Sequence, residues 1–130
     1  MIVLDASAAV DWLLQTPDGR SIESRIYSRD ETLHAPHLLD LEVTQVLRGH
    51  SRRGSVSAHR VDKAMRAFLD LRIARYPHIE FLSRIWQLRH NFSAYDAAYV
   101  ALAEKLGATL LTRDARLAVA SGTAAAIEVF

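Results

Sequence analysis

The sequence predicts an α/β protein in which helices flank a mostly parallel central sheet, forming an α/β/α sandwich. Short apolar runs typical of buried strands alternate along the chain with segments of helical periodicity. Such alternation is typical of parallel sheets covered by helices. The chain has 130 residues, of which 50% are hydrophobic. Because that is enough apolar material for one compact core, we expect a single domain over residues 1–130.

The first half of the chain is predicted to contain two strands and four helices. Residues 2–4 form a short apolar run, and residues 33–36 form a second run closed by a proline. The Pro-Asp-Gly sequence at 17–19 is typical of a turn, and Gly49 and Gly54 signal the end of the third helix. Apolar residues at helical spacing predict the helices, over 6–14, 21–28, 38–48 and 57–72.

The second half alternates strands and helices more regularly. Small and apolar residues repeat at helical spacing from Ala94, and Gly107 marks the end of that helix at residue 106. Residues 109–112 are a threonine- and leucine-rich run typical of a buried strand. The remaining predicted strands are 73–76 and 126–130, and the remaining helices are 79–90 and 114–120.

Charge is nearly balanced overall but unevenly distributed. The 16 basic and 15 acidic side chains give a net charge of +1, yet residues 44–92 hold ten Lys or Arg and only three acids. Most of the basic residues are Arg, which stacks on bases and binds phosphates with two donors. The Arg-rich segment, residues 48–89, is either an ordinary solvated surface or a surface for a charged partner.

Three aspartates are predicted to lie at one edge of the sheet. Asp5 ends the first strand, Asp114 follows the fourth strand, and Asp96 lies in the first turn of a helix. In parallel sheets these positions share the carboxyl edge, where ligands bind. Each aspartate also has a purely structural explanation, because Asp5 and Asp114 are placed to cap helices, and Ser93 and Asp96 have the spacing of a capping box.

Glu42 is the acid that capping does not explain. It lies on an apolar column of its helix, with Leu38 and Val46 four residues to either side, although it could reach solvent at the helix edge. If all four acids meet at one point they repel one another, and a bound divalent cation relieves that repulsion. Oxygen ligands favour Mg²⁺ or Mn²⁺, which activate water and stabilise the leaving oxygen in phosphodiester cleavage.

Other kinds of site are excluded. The chain has no Cys, its five glycines form no phosphate-binding loop, and its six histidines form no metal-binding pair. Trp12 and Trp86 fall on predicted helices, and we expect both in the core. The start of the chain does not read as a signal peptide, and no apolar run is long enough for a membrane span. We therefore expect a cytoplasmic protein.

Four segments resemble the motifs of the PIN-domain nucleases. They are IVLDAS at 2–7, LLDLEV at 38–43, SAYDAAYVALA at 93–103 and LLTRDARL at 110–117. Their order and spacing are also similar to those of the family, and the third segment is the most specific. The length of the chain resembles that of the VapC toxins of bacterial and archaeal toxin–antitoxin pairs.

This resemblance implies a Mg²⁺- or Mn²⁺-dependent endoribonuclease that cleaves RNA with metal-activated water. It implies that Asp5, Glu42, Asp96 and Asp114 hold the metal, with Asp5 and Asp96 as direct ligands of the first ion. Glu42 and Asp114 would act through water or hold a second ion. The resemblance also implies inhibition by a VapB-type antitoxin, a homodimer and a higher assembly with the antitoxin.

Two other functions are compatible with the same fold. A catalytically silent PIN-like module would use its acids as helix caps and its Arg residues to hold nucleic acid. Another phosphoesterase, such as a flap or DNA nuclease, would need a clamp or arch segment, for which the chain is too short. Cleavage of RNA, of DNA or of neither in the presence of Mn²⁺ distinguishes these alternatives.

Overall fold

The computed structural model describes residues 1–130, and its five strands form one parallel sheet. The strands are β1 (Ile2–Leu4), β2 (Leu33–Pro36), β3 (Ile73–Tyr76), β4 (Thr109–Thr112) and β5 (Ala126–Val129). Their order across the sheet is β3-β2-β1-β4-β5. The predicted α/β class is therefore confirmed, and the sheet is parallel throughout.

Seven α-helices flank this sheet. They are α1 (Ala6–Leu13), α2 (Pro17–Tyr27), α3 (Leu38–Arg53), α4 (Ala58–Asp70), α5 (Leu82–Gln87), α6 (Ala94–Leu106) and α7 (Ala115–Val119). Helix α1 packs against α2, α3 and α4, whereas α6 packs against α5 and along β1, β2 and β4. None of these helices is long and apolar enough to cross a membrane.

The core is centred on β1 and β4, the two strands that lead into the predicted site. Ile2, Val3, Leu4, Leu110 and Leu111 are completely buried. Helix α6 covers these strands with an unbroken buried run over residues 97–103. The polar residues that end these strands, Thr112 in β4 and Asp5 just after β1, are themselves buried and lie at the carboxyl edge of the core.

The predicted turn at residues 17–19 is wrong, because these residues form the first turn of α2. The hydroxyl of Thr16 accepts the backbone N–H of Gly19 at 3.0 Å, and Pro17 occupies the first helical position. Both features are typical of a helix start. Gly19 instead permits a close helix contact, since a Cβ there would lie 1.9 Å from the carbonyl oxygen of Asp11.

Two further helices differ from their predicted bounds. Helix α3 continues past Gly49 and ends at Gly54, whose φ of +66° is a left-handed conformation that glycine adopts easily. A helix tolerates an interior glycine at a cost of about 1 kcal/mol. The predicted helix 79–90 is divided into a 3₁₀ turn, His78–Phe81, and the short α5.

The expectation that Trp86 lies in the core is wrong. Trp86 is 68% exposed, and the Arg89 guanidinium stacks over its ring at 4.5 Å from the ring centroid. Ile85 and Leu88 form the buried side of this segment, so Trp86 falls on the outward side. Trp12, by contrast, is buried as expected.

Candidate active site

The carboxyl ends of β1 and β4 bring two predicted site residues together. Leu4 pairs with Leu111 in the parallel register, so Asp5 leaves the core beside the end of β4. Thr112, completely buried at that end, donates its hydroxyl to Oδ2 of Asp5 at 2.5 Å. The same hydroxyl oxygen accepts the backbone N–H of Asp114 at 2.9 Å. Asp5 and Asp114 therefore share one edge of the sheet.

The Asp5 carboxylate is buried and held by three donors. Its Oδ1 accepts the Ser7 hydroxyl at 2.7 Å and the Ala8 N–H at 2.9 Å, and its Oδ2 accepts from Thr112. The bond from Ala8 is the predicted N-cap of α1, but the bond from Thr112 is not part of a cap. Burial raises the pKa of Asp5, these hydrogen bonds oppose that rise, and the charge of Asp96 adds to it.

Glu42 reaches the same region from the second turn of α3. Its half-buried carboxylate accepts a 3.0 Å hydrogen bond at Oε2 from the hydroxyl of Tyr99. Burial raises the pKa of Glu42, the bond from Tyr99 lowers it, and the charges of Asp5 and Asp96 raise it. The interpretation of its helix column as apolar is only partly right, because Val46, one turn later, is 40% exposed.

Asp96 enters the site from the first turn of α6. Its backbone N–H donates to the hydroxyl of Ser93 at 3.1 Å, which is one half of the predicted capping box. The other half is not formed, since the Asp96 carboxylate makes no hydrogen bond or ion pair. That half-buried carboxylate is close enough to Asp5 and Glu42 for its charge to raise the pKa of each. Capping therefore explains Ser93 and leaves the Asp96 side chain free.

Asp114 holds a different position from the other three acids. Its Oδ1 accepts the backbone N–H of Arg116 at 2.9 Å, which confirms the predicted cap of α7. The Arg116 guanidinium also donates to both carboxylate oxygens, and these bonds lower the pKa of Asp114. We call Asp5, Glu42 and Asp96 the acidic cluster; Asp114 lies at its edge with its charge balanced by Arg116.

The acidic cluster has the chemistry that a hard divalent cation requires. It offers carboxylate oxygens, and the chain contains no Cys. Nowhere in the structure do three Asp, Glu or His side chains stand close enough together to form a complete metal cage. Such an open arrangement suits Mg²⁺, which keeps several waters and takes only one or two carboxylates from the protein. That all four acids meet around one ion stays a prediction.

Two residues near this edge of the sheet were not among the predicted site residues. Tyr99 lies three residues after Asp96, so that the two share a face of α6, and this spacing was the available signal. Arg113 forms ion pairs with Asp11 of α1 and Asp18 of α2, and it thereby ties the loop after β4 to both helices. No local pattern marks these ion pairs, because their partners are far apart in the chain.

The chain is similar to known proteins over nearly its whole length. The PIN domain family matches residues 2–122. The chain is 45% identical over 129 residues to ribonuclease VapC12 of Mycobacterium tuberculosis, covering 99% of this chain and 98% of that protein.

Two solved structures share the fold. The structure of PAE2754 from Pyrobaculum aerophilum matches with a TM-score of 0.71 and 25% identity, over 98% of this chain and 83% of that one. A chain of VapBC2 from Rickettsia felis, bound to a DNA fragment from its promoter, matches with a TM-score of 0.63 and 15% identity, over 99% of this chain and 98% of that one. The family match and the near-complete alignment with VapC12 show that this chain belongs to the PIN-domain family, among the relatives of the VapC ribonucleases.

Proposed function

We propose that this chain is a divalent-metal-dependent endoribonuclease and the toxin of a toxin–antitoxin pair. The observation that carries the proposal is the acidic cluster at the carboxyl edge of the sheet. In it, Asp5 is held in place by three donors while the Asp96 carboxylate is left without a partner. The 45% identity to a protein named as a ribonuclease supports RNA as the substrate.

In this proposal Asp5 and Asp96 hold Mg²⁺ or Mn²⁺ directly, while Glu42 and Asp114 act through water or hold a second ion. When bound, the cation supplies an activated water and stabilises the oxygen that leaves the phosphodiester. Thr112 and its neighbours fix the Asp5 carboxylate in one orientation, so that little rearrangement is needed when the cation binds.

The surroundings of the cluster suit a phosphate of the RNA backbone. Helices α1 and α6 both begin at this edge, and a helix N-terminus favours an anion. The Arg116 side chain is 86% exposed beside Asp114, and its guanidinium can exchange that carboxylate for a phosphate oxygen. Since RNA is read by sequence mainly where it is single-stranded, a looped or unpaired segment is the expected target.

A partner protein belongs to the same proposal. The structural match to VapBC2, together with the VapC relatives, supports a VapB-type antitoxin that inhibits this chain. We further propose that residues 1–130 form a single PIN domain, that it forms a homodimer, and that it joins a higher assembly with the antitoxin. A catalytically silent module is disfavoured, because helix capping does not account for Glu42, which caps no helix and whose carboxylate accepts from Tyr99 instead.

Cleavage of RNA in the presence and absence of metal tests the enzymatic proposal. We expect the purified chain to cut RNA with Mg²⁺ or Mn²⁺, to stop when EDTA is added, and to leave DNA intact. Robust cleavage in EDTA would contradict the metal-dependent mechanism. No cleavage of any RNA under either condition would favour the silent module.

Growth of cells that express the chain alone tests the toxin proposal. We expect growth arrest, and we expect Asp5→Ala or Asp96→Ala to relieve it at an equal level of protein. Co-expression of the cognate antitoxin is the matched control and is expected to restore growth. If Asp96→Ala arrests growth as strongly as the unchanged chain, the assignment of Asp96 to the active site is wrong.

A further inference from the structure

Tyr99 is a buried tyrosine whose hydroxyl group has one use in the structure. The residue is only 2% exposed and lies in the most buried stretch of α6. A buried hydroxyl needs a hydrogen-bond partner, and a phenylalanine ring would fill the same apolar space without that requirement. The single bond that the hydroxyl donates is the one to Oε2 of Glu42.

The same bond is also the one hydrogen bond that Glu42 makes with its side chain. It joins α3 to α6 across 57 residues of sequence. Glutamate has three rotatable side-chain bonds, so a half-exposed Glu42 without this contact would sample several orientations. The contact therefore selects one orientation of the carboxylate.

Helix α6 supplies both this contact and one member of the acidic cluster. Asp96 and Tyr99 are three residues apart, which places them on neighbouring positions of one helix face. The same helix therefore places its own carboxylate and holds the carboxylate of α3. The relative positions of Asp96 and Glu42 thus depend on a rigid, buried element rather than on two independent side chains.

We propose that Tyr99 is a positioning residue, whose hydroxyl holds the Glu42 carboxylate toward Asp5 and Asp96 in the arrangement that receives the divalent cation. This inference rests on the proposed function. It assigns to Tyr99 no contact with RNA and no transfer of a proton. Residues that orient metal ligands typically change metal affinity by about 10- to 100-fold when they are removed.

The Tyr99→Phe variant removes only the hydroxyl oxygen. We expect its dissociation constant for Mn²⁺, measured by isothermal titration calorimetry without RNA, to rise about tenfold or more. At a fixed Mn²⁺ concentration we expect kcat to fall while KM for RNA stays unchanged, because the hydroxyl does not touch the substrate. Tyr95→Phe is the matched control, since Tyr95 is 64% exposed one turn earlier on α6 and its hydroxyl makes no hydrogen bond.

A double-mutant cycle tests whether the effect passes through Glu42. In a Glu42→Ala background, which leaves the Tyr99 hydroxyl no carboxylate to hold, Tyr99→Phe is expected to cause little further loss of Mn²⁺ affinity. If the full loss recurs in that background, or if Tyr99→Phe binds Mn²⁺ and turns over RNA within twofold of the unchanged chain, the proposal is wrong.

A second variant keeps the tyrosine in case Tyr99→Phe unfolds. Glu42→Asp retains the charge but is one methylene too short for the Tyr99 contact, and we expect it to lose as much Mn²⁺ affinity as Tyr99→Phe. Unchanged affinity of Glu42→Asp would overturn the positioning role. If the unchanged chain binds no Mn²⁺, the proposed function itself fails and the inference fails with it. If instead Asp96→Asn abolishes binding while Tyr99→Phe and Glu42→Asp do not change it, only the inference fails.

Discussion

Single residues at the carboxyl edge of the sheet serve structure and chemistry together. Asp5 caps α1 through the N–H of Ala8, and it also faces the charges of Asp96 and Glu42. A cap alone would be satisfied by Ser or Asn, which carry no charge. The charge therefore costs stability in the metal-free protein, since burial and like charges both raise the pKa of Asp5.

The Asp96→Asn variant separates the stability cost from the metal site. Removing one of three mutually repelling charges should leave the protein as stable or more stable in EDTA. If Asp96 were only a helix-end charge, the variant would instead lose about 0.3–1 kcal/mol of stability. The rise in Tm on adding Mn²⁺ should disappear, because that rise requires a binding site. Thermal unfolding with EDTA and with Mn²⁺ measures both effects.

Asp62→Asn is the control for this measurement. Asp62 is an exposed aspartate on α4, a helix that carries none of the predicted site residues. It should keep the full Mn²⁺ shift. An Asp96→Asn protein that melts lower in EDTA yet keeps the full Mn²⁺ shift would identify Asp96 as a helix-end charge without a metal role.

At the scale of elements, the end of α6 is held by a network that is independent of the acidic cluster. Glu104 accepts two bonds from the Arg84 guanidinium of α5, at 2.7 and 2.9 Å, and one from the Thr123 hydroxyl at 2.7 Å. The backbone N–H of Ala124 donates to it as well. These contacts join α5, α6 and the segment that leads into β5, so α6 is anchored at the end opposite to Asp96.

This network predicts a pH dependence of stability. The bonds from Arg84, more than any other contact, hold the pKa of Glu104 at about 2, below its ordinary 4.5. A carboxyl whose pKa is lower in the folded state stabilises the fold above its unfolded pKa, and this contribution is lost as the pH falls from 4.5 toward 2. Glu104→Gln should therefore lower the free energy of unfolding at pH 7 by about 1–2 kcal/mol, since the Arg84 side chain is partly exposed to screening solvent.

Urea unfolding of Glu104→Gln and the unchanged chain at pH 7 and near pH 2 measures this difference. We expect a lower midpoint for the variant at pH 7 and converging midpoints at the acidic end. The exposed Glu80, which forms no ion pair, provides the control variant Glu80→Gln. A difference between Glu104→Gln and the unchanged chain that is equal at both pH values would show that the ion pair is not its source.

At the scale of the whole molecule, the Arg-rich segment is a candidate surface for binding RNA. Because α3 extends to Arg53, the residues Arg48, Arg52 and Arg53 all lie in its last two turns. All three are exposed, and none forms an ion pair within the chain. With a rise of about 1.5 Å per residue, they extend from roughly 9 to 16 Å beyond Glu42 along the helix. Of the three, only Arg53, about three turns after Glu42, returns to the same helix face, and this position fits a contact to a nucleotide outside the cleavage point.

Replacing Arg48, Arg52 and Arg53 by Gln should weaken RNA binding and flatten its salt dependence. Each lost contact to a single-stranded phosphate lowers the slope of log K against log salt by about 0.7. Binding of the inactive Asp96→Asn chain to RNA at several salt concentrations measures the slope, with Arg29→Gln as an exposed control. An unchanged slope would assign these arginines to solvent, and lost capture of the antitoxin in a pull-down would assign them to that partner.

Local sequence patterns predicted most of the fold, because the burial of a strand and the ends of a helix depend on residues that are neighbours in the sequence. The apolar run before Asp5 predicted the bounds of β1, and the small-residue periodicity from Ala94 to Gly107 predicted those of α6; the structure has the same bounds. The same patterns predicted that Asp5, Asp96 and Asp114 would follow strands or start helices. The turn at 17–19 failed because a Pro-Asp-Gly sequence also suits the first turn of a helix that Thr16 caps.

Only the tertiary structure decided which of these residues act on one another. Glu42 meets Tyr99 across 57 residues because the fold brings the early turns of α3 and α6 near each other. Thr112 meets Asp5 across 107 residues because β1 pairs with β4. Asp114 lies at the edge of the acidic cluster, where its carboxylate pairs with Arg116, its near neighbour in the chain. The sequence alone determined the elements and the carboxylates at their ends, since caps and periodicity are local. The partners, burial and charge coupling of those carboxylates depend on distances between elements, which are fixed only when the sheet and helices pack.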